Sequence, residues 1–303
     1  MNVTTDHDCC ADNTGGLLSV EQGRTRILDA VQGICSTEQL SLRLALHRVL
    51  AQPVVSAIDV PPFDNTAMDG YAIRSTDCHP EKSCSLSIIG ESFAGSPFTG
   101  RVNQGQCIRI MTGAVMPEGA DAVVMQEDIT RRDDFIELGP GNGIRAGQNV
   151  RYAGEDTHCG DTVLAPGIRI GAAEIGLLAS VGVSEVTVCR RIRVAYFSTG
   201  DELAGIGSSL QAGQIYDCNR YTLFGLLHNE GIEACDLGVI PDDRQAVRAA
   251  FKQASETSDL VITSGGVSVG EADFVTETLA ELGQVSLWRM ATKPGKPVAF
   301  GRL

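Results

Sequence analysis

From Arg191 onward the chain alternates apolar runs with helical segments, and no other feature narrows its architecture as much. RIRVAYFST, ACDLGVI, DLVITSGG and VSLWRMATKP read as strands. Between them NRYTLFGLLHNEG, DDRQAVRAAFKQASE and EADFVTETLAELG read as helices. Strands that are apolar on both faces need cover on both faces, and helical crossovers in a parallel sheet supply it. The pattern therefore predicts an open parallel sheet of four strands. Glycines at 231 and 283 close two of the helices, and acidic residues open the one at Asp242 and Asp243.

The preceding residues read differently. In 17–34, Val20, Ile27, Leu28, Val31 and Ile34 fall on one helical face, and Ser19 with Gln22 forms a capping-box pattern. A second helix is expected over 41–50, with Pro53 limiting it. Residues 53–146 hold short apolar stretches (VVSAIDV, SLSIIG, CIRIMTG, DAVVMQ, FIELGP) separated by Gly, Pro and Asn, the mark of a β region. Residues 147–178 return to loops and short strands, and GAAEIGLLASVG reads as a small-residue helix.

At 303 residues the chain has room for about two domains. Its net charge of −14 argues against nucleic acid or an anionic membrane as partner, since both need a basic surface. No apolar run is long enough for a membrane helix, and the start lacks a secretory pattern, so a cytoplasmic location is expected. Ten cysteines match no zinc spacing and read as small buried hydrophobes or surface thiols.

In an open parallel sheet, ligands bind beyond the carboxyl ends of the strands. Those ends hold Thr199, Asp201 and Glu202; Asp242 and Asp243; TSGGVSVGEAD; and KPGKP. Ser264, Gly265, Gly266 and Ser268 offer hydroxyls and close backbone approach to an anion. Asp201, Glu202, Asp242, Asp243 and Asp273 form a pool of ligands for a divalent cation such as Mg2+, although Asp242 and Asp243 read equally well as helix caps. Lys293 and Lys296, two of only four lysines in the chain, supply positive charge. In the β region, PPFDNTAMDGYAIR and IRIMTGAVMPEGADAVVMQE are polar, glycine-containing turns.

Taken in order, FDNTAMDGYAIR, IRIMTGAVMPEGADAVVMQE, RYAGEDT, STGDEL, GQIYDCNRY, TSGGVSVGEADF and KPGKPVAFG resemble the MoeA family, which includes the E domain of gephyrin. The resemblance spans roughly residues 55–303. It implies an α/β and β multidomain protein: a parallel-sheet, MogA-like molybdopterin-binding domain at 179–303, an inserted β subdomain at 53–146, an elongated linker subdomain from 35–52 and 147–178, and an N-terminal helix within 1–34 packing on the α/β domain. It implies insertion of molybdate into adenylyl-molybdopterin with release of AMP, Mg2+ as cofactor, a homodimer, and a molybdopterin adenylyltransferase-type partner. By position it carries over Asp69, Thr112, Glu202, Asp242, Asp243, Asp273, Lys293 and Lys296. Thr66 stands where the family usually has serine. Family members continue past VAFG into a further β domain, so a C-terminally truncated chain is expected. A non-catalytic molybdopterin-binding scaffold is the alternative.

Overall fold

The computed structural model describes residues 17–34, 36–265, 274–292 and 297–303. The chain forms two compact units: Thr37–Cys189, and the residues up to Ser36 joined by Arg190–Leu303. No helix among the described residues is long and apolar enough to cross a membrane.

Helix α1 (Val20–Ala30) carries the capping box read from sequence, with Gln22 N donating to Ser19 Oγ at 3.2 Å and Ser19 N donating to Gln22 Oε1 at 2.9 Å. It ends four residues short of the expected face. Val20, Leu28 and Val31 are exposed, and the buried position is Gly23, against which the Met290 side chain rests.

In the Thr37–Cys189 unit, β1 (Thr37–Ser41) is followed by the short strands β2 (Val54–Val55) and β3 (Asn65–Thr66) and by β4 (Gly70–Ile73). Next come β5 (Cys84–Ser92), β6 (Gln106–Ile110), β7 (Ala122–Met125), β8 (Thr130–Arg132) and β9 (Phe135–Leu138). The unit closes with β10 (Val150–Arg151), β11 (Thr162–Leu164), α2 (Ala172–Ser180) and β12 (Glu185–Cys189). Six strands form one sheet in the order β7-β4-β6-β5-β9-β8, antiparallel except for the parallel pair β5–β6. All four residues of β4 are buried, because successive side chains point to opposite faces and both faces are covered. Tyr71 and Ile73 join Leu86, Val124, Ile136 and Leu138 on one face, while Ala72 joins Ile110 and Val123 on the other.

Three expectations change here. Residues 41–50 hold the end of β1 and a single 3-10 turn, Leu42–Ala45, rather than a helix. Pairing of Leu40 with Val186 and the positive φ of His47 override the local helical preference. Residues 179–189 belong with this unit and not with the α/β part, because β12 pairs antiparallel with β1 and Leu178, Val186 and Val188 share its second core with Leu50 and Ile170. Among the described cysteines two are not free: Cys78 and Cys84 form a disulfide within the β core, with Cα atoms 5.3 Å apart. Cys107 does fit the reading of a small buried thiol, and burial pushes its pKa up to about 12.

The other unit contains β13 (Arg193–Thr199), β14 (Leu203–Ala204), β15 (Ile215–Tyr216), α3 (Cys218–Asn229), β16 (Glu233–Ile240), α4 (Arg244–Thr257), β17 (Leu260–Ser264), α5 (Phe274–Leu282), β18 (Gln284–Arg289) and β19 (Pro297–Arg302). β13 lies between β16 and β17 and is parallel to both. Helix α4 turns Val247, Ala250, Phe251 and Ala254 inward at spacings of three and four, and Phe251 meets Phe197 edge-on at 5.1 Å. The fourth predicted strand does not extend this sheet among the described residues. β18 pairs antiparallel with β19 instead, and Val285 and Ala299 pack against the Phe197 core.

Arg190 clamps Asp259 with two hydrogen bonds of 2.7 and 2.6 Å, and Arg193 N adds a third at 2.9 Å. The Arg190 hydrogen bond chiefly lowers the Asp259 pKa to about 2. A carboxylate whose pKa falls on folding stabilises the protein above its unfolded pKa of about 3.9, and the benefit is lost as pH drops through the folded value. Asp259→Asn should cost about 1 kcal/mol at pH 7, allowing for solvent screening of a partly exposed pair. In urea titrations the gap should close between about pH 4 and pH 2; a pH-independent gap would mean that charge is not what Asp259 contributes.

Candidate functional site

In the Thr37–Cys189 unit, three segments are laced by backbone hydrogen bonds. Gly113 N donates to Thr66 O, Thr66 N donates to Ala114 O, and Ala67 N donates to Asn149 O. This brings together Asp69 and Thr112, two residues that the family resemblance carries over separately. Asp69 Oδ1 accepts both the Thr112 amide and the Thr112 hydroxyl, each at 2.7 Å. The amide first, then the hydroxyl, hold the Asp69 pKa below its ordinary value, and the charge of Arg109 adds to this against an opposing effect of burial. Asp69 is therefore a carboxylate at neutral pH, with its second oxygen not engaged by Thr112. The Thr66 hydroxyl accepts from Met68 N and donates to Met68 O, a local bond pattern that serine or threonine makes equally well.

Sequence reasoning assigned no role to two arginines of this unit, of which Arg109 acts on Asp69. Arg109 lies over the Tyr71 ring at 5.1 Å, and Arg151, on β10 alongside Asn65, makes a two-point contact with Asp156 at 2.8 and 2.7 Å. RYAGEDT already held Arg151, Glu155 and Asp156 in one short motif, a signal the residue-by-residue reading passed over.

In the α/β unit the parallel register aligns the strand ends: Thr199 opposite Ile240 and Ser198 opposite Ser264. Thr199, Glu202, Asp242, Ser264 and Gly265 thus follow three adjacent strand termini. Asp242 N donates to Asp201 Oδ1 at 3.3 Å, linking two of the loops. Asp243 accepts from Gln245 N and Ala246 N and caps α4. Of its two readings, the structure shows the cap, made through Oδ2 alone. Among the described residues no group of three or more His, Cys, Asp or Glu stands ready to hold a metal. Gly266, Ser268, Asp273, Lys293 and Lys296 lie outside the described residues.

Gly265 shows why the turn after β17 needs glycine. Its φ is +97°, and a Cβ would come within 2.5 Å of Thr199 O. Thr199 Oγ1 is buried, 4% exposed, with no hydrogen-bond partner among the described residues. A buried hydroxyl without a partner is costly unless a ligand satisfies it.

Both halves match known families. Residues 18–182 match the MoeA N-terminal region (domain I and II), and residues 195–303 match the family described as "Probable molybdopterin binding domain". The chain belongs to the MoeA family. It is 47% identical to a molybdopterin molybdenumtransferase of Haemophilus influenzae over 95% of its length, spanning 70% of that protein. It is 41% identical to a molybdopterin molybdenumtransferase of Nostoc over 86% of its length and 61% of the relative's. Among solved structures, a molybdopterin biosynthesis MoeA protein from Pyrococcus horikoshii matches 94% of the chain at a TM-score of 0.83 and 30% identity, with 72% of that structure covered. The two matches between them span Asp69 and Thr112, and Thr199, Ser264 and Gly265.

Proposed function

We propose that this chain acts in molybdenum cofactor biosynthesis as a molybdopterin molybdenumtransferase, taking molybdate and adenylyl-molybdopterin to molybdenum cofactor, AMP and water. The observation that carries the reading is the 47% identity to a transferase of that name, which runs through 95% of the chain. The rim chemistry supports it: hydroxyls and a close-approach glycine suit phosphate oxygens.

The transfer requires oxyanions held in position, not a covalent nucleophile. Thr199 and Ser264 bind the pterin phosphate. Lys293, Lys296 and Ser268 hold the substrate molybdate, and the lysines offset charge on the departing AMP. Asp69 and Thr112 act from the second cluster, reaching the rim of the partner subunit in a homodimer.

Mg2+ takes one or two carboxylates directly. Glu202 and Asp242, which follow neighbouring strand ends, and Asp273 are the donors for it, and Asp243, whose Oδ2 caps α4, offers only Oδ1. When bound, the cation supplies positive charge against the pyrophosphate. The protein works in the cytoplasm, next to a molybdopterin adenylyltransferase that supplies its substrate.

The test is molybdate-dependent AMP release from adenylyl-molybdopterin, measured beside the Haemophilus influenzae relative. AMP should appear only when molybdate is added. If the relative releases AMP and this chain does not, the transferase reading is wrong.

A further inference from the structure

Asn219, the second residue of α3, has no role in the function described so far. Its Nδ2 donates to Ser264 Oγ at 3.0 Å. Its Oδ1 faces Cys218 Sγ at 3.9 Å, so the two ends of the amide have different neighbours. The first turn of α3 that carries it is tied down. Asp217, 3% exposed, accepts from Arg220 N, and Arg220 in turn grips Asp217 and Asp236.

The direction of the Asn219–Ser264 bond decides what Ser264 can do. A serine hydroxyl has one proton and two lone pairs, whereas an amide nitrogen only donates. Ser264 must therefore accept from Asn219, and its own proton stays available. At the same rim Thr199 Oγ1 is buried and without a partner among the described residues, and it lies 3.1 Å from where a Cβ on Gly265 would sit. The place where Gly265 lacks a side chain is thus bordered by a hydroxyl without a partner among the described residues and lies next to one that donates to no described residue.

We propose that Asn219 is a positioning residue, which turns Ser264 into a fixed donor to a phosphate oxygen of the pterin substrate. This rests on the transferase reading for the identity of the ligand. The hydrogen-bond logic itself requires only an oxyanion.

Asn219→Asp preserves shape and reverses polarity, since a carboxylate would accept the Ser264 proton and draw it away from the ligand. Binding of inorganic pyrophosphate to the whole chain, followed by calorimetry, should weaken roughly tenfold or more in Asn219→Asp and a few-fold in Asn219→Ala, about the worth of one oriented charge-assisted hydrogen bond. Ser264→Ala should lose as much as Asn219→Asp. The double variant should lose no more than either, because both act through one hydroxyl. Thermal melts identify any variant that has lost its fold, and the conservative Ser264→Thr, which keeps a hydroxyl, should retain most of the affinity. In the AMP assay Asn219→Asp should raise the KM for adenylyl-molybdopterin and leave that for molybdate unchanged.

Wild-type protein that fails to bind pyrophosphate would overturn the proposal, as would equal affinity in folded Asn219→Asp. Additive losses in the double variant would mean that the added charge acts directly, and a shift confined to the molybdate KM would assign Ser264 to the other substrate; either result overturns it too. If pyrophosphate binding behaves as expected but no AMP is released, the oxyanion site stands and the transferase reading falls.

Discussion

Gly70→Ala should strip the β unit of much of its stability. Gly70 sits in β4 between Ile110 and Met125, in the interior of the six-stranded sheet. A Cβ there would lie 1.9 Å from Val124 O and 2.8 Å from Val124 C. Neither atom belongs to a flexible side chain, so the β4–β7 ladder must part to admit the methyl group. Overpacking of a rigid core commonly costs 1–3 kcal/mol, and the broken ladder adds to it, so a loss of about 4 kcal/mol is expected. Urea denaturation should show the midpoint falling sharply. A variant that unfolds like the parent would mean that the strands do not approach so closely. Because Asp69 is the adjacent residue, loss of the Asp69–Thr112 pair should accompany loss of the fold.

Gly265→Ala should instead damage function and spare the fold. The residue lies at the end of a strand, where displacing one turn leaves the Phe197 core intact. Its φ of +97° disfavours any side chain, and the added Cβ would press on Thr199 O at 2.5 Å. Moving that turn separates the hydroxyls that meet the ligand. Pyrophosphate affinity should drop on the order of 100-fold, the equivalent of losing two oriented donors. The melting temperature should fall by only a few degrees. Retained affinity would remove the rim as the oxyanion site.

The sequence made the rim legible because parallel strands fix their own geometry. Once RIRVAYFST and DLVITSGG are recognised as neighbouring parallel strands, Thr199 and Ser264 must emerge at the same edge. DGYA and MTGA could be paired only through the family resemblance, because their meeting depends on β4 lying beside β6, a long-range contact with no local signature. The missed features share that character. The 41–50 segment looked helical until β12 arrived to pair with β1. Gly283 does close α5, its N donating to Leu279 O, but its φ is not left-handed; what demands glycine there is the distant Arg302 O, which a Cβ would meet at 1.9 Å. The hydrogen bond from Asn219 joins residues 45 positions apart, and nothing in either motif announces it.

The order of the chain also dictates an order of assembly. Helix α1 emerges from the ribosome well ahead of Met290, which rests on Gly23, and of Arg302, which donates to Ala30 O across 272 positions. At 5–20 residues per second the helix waits roughly 15–50 s for its docking surface. The Thr37–Cys189 unit needs nothing from outside itself and closes during that interval, its first and last residues paired as Thr37 with Cys189. Arg190 N then donates to Ser36 O, joining the two halves of the interrupted unit side by side. Ribosome-bound chains stalled after Cys189 should therefore present a finished β unit and an undocked α1, its Gly23 face still lacking the cover that Met290 provides.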